Sequence, residues 1–224
     1  MIRSFALLKR NEDGATTIEF TIVMLLFFTL TFGITEFGYL LWQYNSAAKA
    51  AQVGARVAAV SNPVWSALPD LTDDAGSPGG VWLTDYVVEC SRSDTDCASV
   101  GSDEVDLGDG YSADAMNCLV FGRQAGEEVC KTACADDAPT DEQGMCNYFH
   151  RIATDEDADV VVTYSHTGMG FSGRPGGPVP TITLQLTGLT FEFFALGGLM
   201  GFDEITMPDF KVTMTGEDLN GAAP

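Results

Sequence analysis

Histidine and basic side chains are what this chain of 224 residues has least of: it carries two histidines, and 11 Lys and Arg against 32 Asp and Glu. The shortage is uneven. Residues 1–60 hold five Lys and Arg against four Asp and Glu, whereas residues 61–224 hold 6 against 28. Nucleic-acid and anionic-membrane binding both depend on neutralising phosphate, so a domain this acidic repels such partners and a nucleic-acid role is excluded. Neither His150 nor His166 sits in a recognisable nucleophile motif. The glycine-rich run Gly168–Gly177 leads into strand-like sequence rather than a helix, so it does not read as a phosphate cradle. No catalytic constellation, resident metal or cofactor is expected. Two further absences are local: no proline precedes Pro63 and no cysteine precedes Cys90.

That proline-free beginning holds the stretch with the fewest structural options, GATTIEFTIVMLLFFTLTFGITEFGYLL, Gly14 to Leu41. From Ile18 to Leu41 only Glu19 and Glu36 are charged. As a helix those residues span about 36 Å, enough to cross a hydrocarbon core of about 30 Å with some tilt. The alanine-rich continuation WQYNSAAKAAQVGARVAAV favours helix, which predicts one element from about Thr16 to Val60, ended by Asn62-Pro63. Ala47, Ala50, Ala51, Gly54, Ala55 and Ala58 give it a small-residue face, with Lys49, Gln52 and Arg56 on the polar side. A signal peptide cut near Ala48 or Ala50 is the competing reading, but the apolar run is too long for an ordinary signal core. Arg3, Lys9 and Arg10 precede the span, which keeps the amino terminus cytoplasmic and exports the bulk of the chain.

Beyond Val60 the pattern changes. Residues 61–80 form a proline- and glycine-punctuated break. VWLTDYVVEC, residues 81–90, is strand or helix; residues 91–112 read as loop; residues 113–134 look helical, with Met116, Leu119, Val120 and Val129 as candidate buried positions; residues 135–147 read as loop. Asp159–Ser165, Thr181–Leu186 and Phe210–Thr215 have strand composition, the last two alternating with period two. LTFEFFALGGLMGF, residues 189–202, is the second most apolar run, too short to span, and reads as a strand extension plus a loop packed on the helix or facing the membrane. An antiparallel sheet with one face in need of cover follows, and the exported half of the helix is available to cover it. Six cysteines (Cys90, Cys97, Cys118, Cys130, Cys134, Cys146) on one side of the span indicate disulfides in an oxidising compartment. Cys90 with Cys97 is the best single pair, with separate bridges from Cys130 and Cys134 toward Cys118 and Cys146. Zinc with His150 or His166 is the rival, though the spacing fits no standard finger. The acidic run Asp94, Asp96, Asp103, Glu104, Asp106 and Asp109 lacks the ordered ligand spacing of a calcium loop and reads as a solvated loop.

Gly14 followed by Glu19, behind a basic leader and at the head of an apolar helix, resembles the processing site of type IV pilin-like proteins, in which the leader is removed after glycine and a glutamate stands fifth in the mature chain. With the block FGITEFG, residues 32–38, and the tail GARVAAV, residues 54–60, the amino terminus resembles that of TadE/TadG-like pilus-assembly proteins. The resemblance covers about 47 residues of the opening helix, and nothing in the cysteine-bearing middle takes part in it. It implies a minor pilin or pseudopilin of a tight-adherence (Flp) pilus, assisting attachment and biofilm formation, with prepilin peptidase, other pilins or pseudopilins and the membrane as partners. It implies cleavage between Gly14 and Ala15 and an assembly contact from Glu19 to the new amino group of Ala15 on a neighbouring subunit. Glu36 is a second assembly candidate, or an interfacial carboxylate beside an aromatic belt of Tyr39, Trp42 and Tyr44. Gly33 and Gly38, with Ala47, Ala51 and Ala55, would allow close helix approach.

The expected fold is α+β: a pilin-like helix, membrane-spanning in its first half, packed on an antiparallel sheet with a disulfide-bearing insertion. The expected divisions are a leader at 1–14, the helix at 15–60 and an exported acidic domain at 61–224, with the cysteine-bearing insertion at 81–147 and the sheet at 159–217. The expected location is the bacterial inner membrane, single-pass, with the carboxy-terminal domain periplasmic or displayed on the surface or in the pilus. A membrane-anchored exported binding domain or adhesin that joins no fibre is the other reading.

Overall fold

A computed structural model describes residues 13–69, 86–100, 110–124, 129–134, 142–166, 179–194, 197–198, 201 and 204–216. The leader before Asp13, the acidic residues Asp103, Glu104, Asp106 and Asp109, and most of the Gly168–Pro180 turn lie outside the described residues. One helix, α1, runs unbroken over Asp13–Val60. Pro63 stops it as expected, since the residue before a proline disfavours the helical region, and the Ser61 N–H and hydroxyl both donate to the Val57 carbonyl at its end.

The sheet is five-stranded and antiparallel throughout, in the order β2-β1-β5-β6-β9. Its strands are β1 (Val87–Ser91), β2 (Asp96–Ser99), β5 (Asp159–Ser165), β6 (Thr181–Thr187) and β9 (Phe210–Thr215). The strand reading of the last three holds, and the register shows why. Val88, Tyr164, Ile182 and Met214 stand opposite one another, as do Cys90, Val162, Leu184 and Val212, so a single apolar face runs across four strands. Val160, Val162, Tyr164, Ile182, Leu184 and Leu186 are fully buried. The other face is rich in threonine, and the Thr183 and Thr213 hydroxyls pair across it at 3.0 Å. Two small two-stranded sheets complete the strands: β3 (Gly122–Arg123) antiparallel with β4 (Glu142–Gln143), and β7 (Thr190–Glu192) with β8 (Glu204–Thr206).

The chain forms two compact units. One holds α1 through Trp42 together with Phe191–Ile205; the other holds α1 from Gln43 onward with the sheet. In the second unit Ala47, Ala50, Ala51, Ala55 and Ala58 are buried and Lys49, Gln52 and Arg56 exposed. Gly54 marks the tightest approach: a Cβ there would lie 2.5 Å from Met145 Sδ and 2.9 Å from Leu184 Cδ1. The small-residue stripe is therefore the surface by which the helix docks on its own sheet. Ala47, Ala51 and Ala55 are not available for a neighbouring helix, a correction to that part of the sequence reading.

The middle segment departs further from expectation. Its helix, α2, covers only Ala113–Phe121, capped by the Ser112 hydroxyl accepting from the Ala115 N–H. It ends at Gly122, whose φ of 82° suits glycine, and Gly122 and Gly144 pass so closely that neither has room for a side chain. Val129, read as buried, is 66% exposed because the helix has already stopped. Residues 91–112, read as loop, supply β2, so the cysteine-bearing segment contributes two strands to the main sheet. The disulfides join Cys90 to Cys97 across β1 and β2, Cys118 of α2 to Cys130, and Cys134 to Cys146. A short 3-10 turn at Met145–Asn147 and a four-residue helix, α3 (Arg151–Thr154), lead into β5.

Two buried phenols set an alkaline limit on this unit. Tyr164 accepts a hydrogen bond from the Val64 N–H at 2.8 Å, and burial pushes its hydroxyl far above the usual tyrosine range; burial does the same to Tyr86. The folded state holds these protons after the unfolded chain has released them near pH 10. Stability is therefore unaffected below pH 10 and falls above it, by about 1.4 kcal/mol per pH unit for each phenol. Guanidinium midpoints measured at stepwise rising pH are expected to drop from about pH 10 upward. Tyr86→Phe with Tyr164→Phe should flatten that drop, and an unchanged slope would refute the assignment.

Candidate membrane-spanning and assembly helix

The first half of α1 presents its apolar side chains outward on every side. Ile18, Leu26, Leu30 and Ile34 are each more than three-fifths exposed. The best window has a mean hydropathy of 2.0 and none of it is buried within the chain. A core helix of a soluble domain would be buried; this one is long and apolar enough to cross a membrane, and none of its most apolar window is buried among the described residues. Its polar groups are handled internally. The hydroxyls of Thr21, Thr29, Thr31 and Thr35 donate to the carbonyls of Thr17, Leu25, Phe27 and Thr31, four residues back, at 2.6–3.1 Å. A threonine satisfied in this way adds little cost in hydrocarbon.

The sequence candidates lie as follows. Gly14 and Ala15 are exposed and already helical, since α1 starts at Asp13, so cleavage between them requires the first turn to open. A helix's terminal turn is its least stable part. Glu19 is exposed one turn further on. Glu36 is only 8% exposed and thus not on the outward surface that Glu19 shares. Gly33 and Gly38 have open space where a Cβ would be. Tyr39 and Trp42 stack at 5.7 Å, while the Tyr44 ring lies 4.9 Å from Phe210 of β9 and belongs to the packing of the sheet unit.

The comparison with known proteins falls on this same helix, which carries Glu19 and Glu36 and turns into the small-residue stripe. Residues 14–56 match the family described as TadE-like protein. No curated protein and no solved structure matches the chain. The TadE-like match runs from the proposed cleavage glycine to Arg56 in the docked half, and it includes none of the cysteines. It covers 43 of the 224 residues, and the helix it covers is long and apolar enough to cross a membrane.

The remaining candidates are scattered. His150 is exposed at the start of α3, whereas His166 is buried and stacked on Tyr86 at 5.8 Å. Among the described residues no three His, Cys, Asp or Glu side chains gather to hold a metal. Asp94 and Asp96 are exposed on the β1–β2 turn. A cavity of about 830 Å³ opens beside the end of α1, lined by Arg56, Arg123, Glu142 and Tyr148 among others. It contains charges of both signs and no nucleophile paired with a base. One grouping was not foreseen as such: the rings of Phe193 and Phe191 lie 6.2 and 6.0 Å from Phe37 and Tyr39 of the apolar helix. The signal for it was the aromatic density of residues 189–202.

Proposed function

We propose that this protein is a minor pilin or pseudopilin of a tight-adherence pilus system, held in the bacterial inner membrane before assembly with its sheet unit in the periplasm. A prepilin peptidase removes the leader after Gly14, and the new amino group of Ala15 pairs with Glu19 of an adjacent subunit. The observation that carries this reading is the TadE-like match that starts at Gly14, on a helix whose most apolar window is unburied among the described residues. A carboxylate at the centre of a bilayer costs roughly 2.5–3.5 kcal/mol and less toward the surface, so an ion pair with a neighbour's amino terminus offsets a cost the helix otherwise bears. The same logic assigns Glu36 to the exported boundary of the span rather than to the first contact.

The test joins two measurements. Mass spectrometry of the protein from membranes is expected to show a chain beginning at Ala15; a chain beginning at Met1 or after Ala50 overturns the processing step. Glu19→Ala is expected to insert and be processed normally, yet to recover about tenfold less of its partner pilins on co-purification, the equivalent of roughly 1.4 kcal/mol. Unchanged co-purification, together with absence from sheared pilus fractions, would make the protein an anchored exported binding domain or adhesin instead.

A further inference from the structure

We infer that Phe191–Phe194 forms a second membrane contact, an aromatic wedge whose exposed tip, Phe194, is seated in the outer boundary of the bilayer while Phe191 and Phe193 pack behind it on the helix. The inference rests on the reading of α1 as a membrane span. Its independent observation is where the segment sits. Although β7 begins at the end of the sheet's sequence, Phe191–Ile205 belongs to the same compact unit as the apolar half of α1. Phe193 packs edge-on against Phe37, Phe191 tilts against Tyr39, and Phe191 and Phe193 meet each other at 5.2 Å. Counting from Ile18, Glu36 and Tyr39 lie about 27 and 32 Å along the helix axis, at the far limit of a hydrocarbon core of about 30 Å. The segment is thus fixed at the level where the span leaves the lipid.

The chemistry at that level fits an interfacial insertion. Phe194 is 95% exposed, and Ile205 of β8 is 46% exposed. A bare phenylalanine ring in water is unfavourable, whereas at the headgroup boundary it is covered by acyl chain. Tyr39 and Trp42, stacked on each other, belong to the same level, where amphipathic rings are at home. Glu192 is exposed beside Phe194 and sets the depth, because its carboxylate must remain in the headgroup layer. The occupant is the zwitterionic acyl-and-headgroup boundary and not an anionic lipid surface: residues 61–224 hold 28 acidic side chains against six basic ones and have no polybasic patch to offer.

The test uses the full chain in phosphatidylcholine proteoliposomes containing no other protein. Phe194→Trp and Leu30→Trp each add one indole, and the added emission over the parent is read with lipid brominated near the headgroup end of the acyl chain or near its terminus. Both side chains are exposed, so neither substitution threatens folding. The Phe194→Trp emission is expected to fall about twofold or more with the shallow bromine and less with the deep one, and Leu30→Trp to show the reverse order. If Leu30→Trp is quenched and Phe194→Trp is not, the span stands and the wedge is refuted, the ring being left for a protein neighbour. If neither is quenched, the membrane reading itself fails.

Discussion

Gly54→Leu is expected to unseat the helix from the sheet and lower the stability of the sheet unit by more than about 3 kcal/mol, beyond the usual range for an overpacked core. At Gly54 even a single added carbon would come within 2.9 Å of Leu184 Cδ1 and nearer still to Met145. Leu184 is fully buried in the interior strand β6, between Val162 and Val212, so it cannot swing aside. Met145 is also fully buried, although its thioether is flexible enough to yield to one methyl group. The two opposing terms decide the size of each effect. Replacing glycine inside a helix gains about 1 kcal/mol of propensity. Overpacking by one methyl costs about 1–3 kcal/mol, so Gly54→Ala should be between neutral and mildly destabilising. A leucine gains no more propensity than alanine and adds three further carbons to a gap that lacks room for the first. Guanidinium unfolding of the full chain in detergent measures both variants. A Gly54→Leu midpoint equal to the parent's would mean that the stripe does not dock as described.

What was legible beforehand follows from how local the deciding physics is. The helix to Val60 and strands β5, β6 and β9 announce themselves through short-range patterns: an uncharged apolar run, a small-residue stripe and period-two alternation. Strand β2, Asp96–Ser99, does not, because DCAS has no apolar face of its own and is held by its ladder to β1. The helix expected through residue 134 fails at Gly122, where the chain must turn sharply against Gly144, a contact 22 positions away in sequence. The assignment of the alanine stripe was half legible. The sequence reading set the second half of the helix against the sheet face, and the fold adds that the small residues from Ala47 to Ala58 make that contact, so that they are not free for a neighbouring helix. The burial of Glu36 was the least legible, since the packing of one carboxylate leaves no periodic trace.

Removing the Cys134–Cys146 bridge, by Cys134→Ala with Cys146→Ala, should cost about 3 kcal/mol on the chain-entropy account for its separation of 12 residues. For a chain of this size that corresponds to a fall in Tm of roughly 6–12 °C. The bridge between Cys90 and Cys97 should matter less. It closes a separation of only seven, and the ladder Val88–Ser91 against Asp96–Ser99 holds the same register without it. By contrast, Cys146 stands directly after Met145, and the nearby strands β3 and β4 are two residues each. With the bridge gone, the 3-10 turn that presses Met145 toward Gly54 keeps only its own hydrogen bonds and the close Gly122–Gly144 approach beside it. The loss should therefore be coupled to the helix: combining Cys134→Ala and Cys146→Ala with Gly54→Leu is expected to cost less than the two effects taken separately, because Gly54→Leu has already displaced Met145. Strict additivity in a double-mutant cycle, or equal losses from the Cys90–Cys97 and Cys134–Cys146 pairs, would show that the cysteine-bearing segment stabilises the protein only by shortening its unfolded chain and not by holding Met145 against the helix.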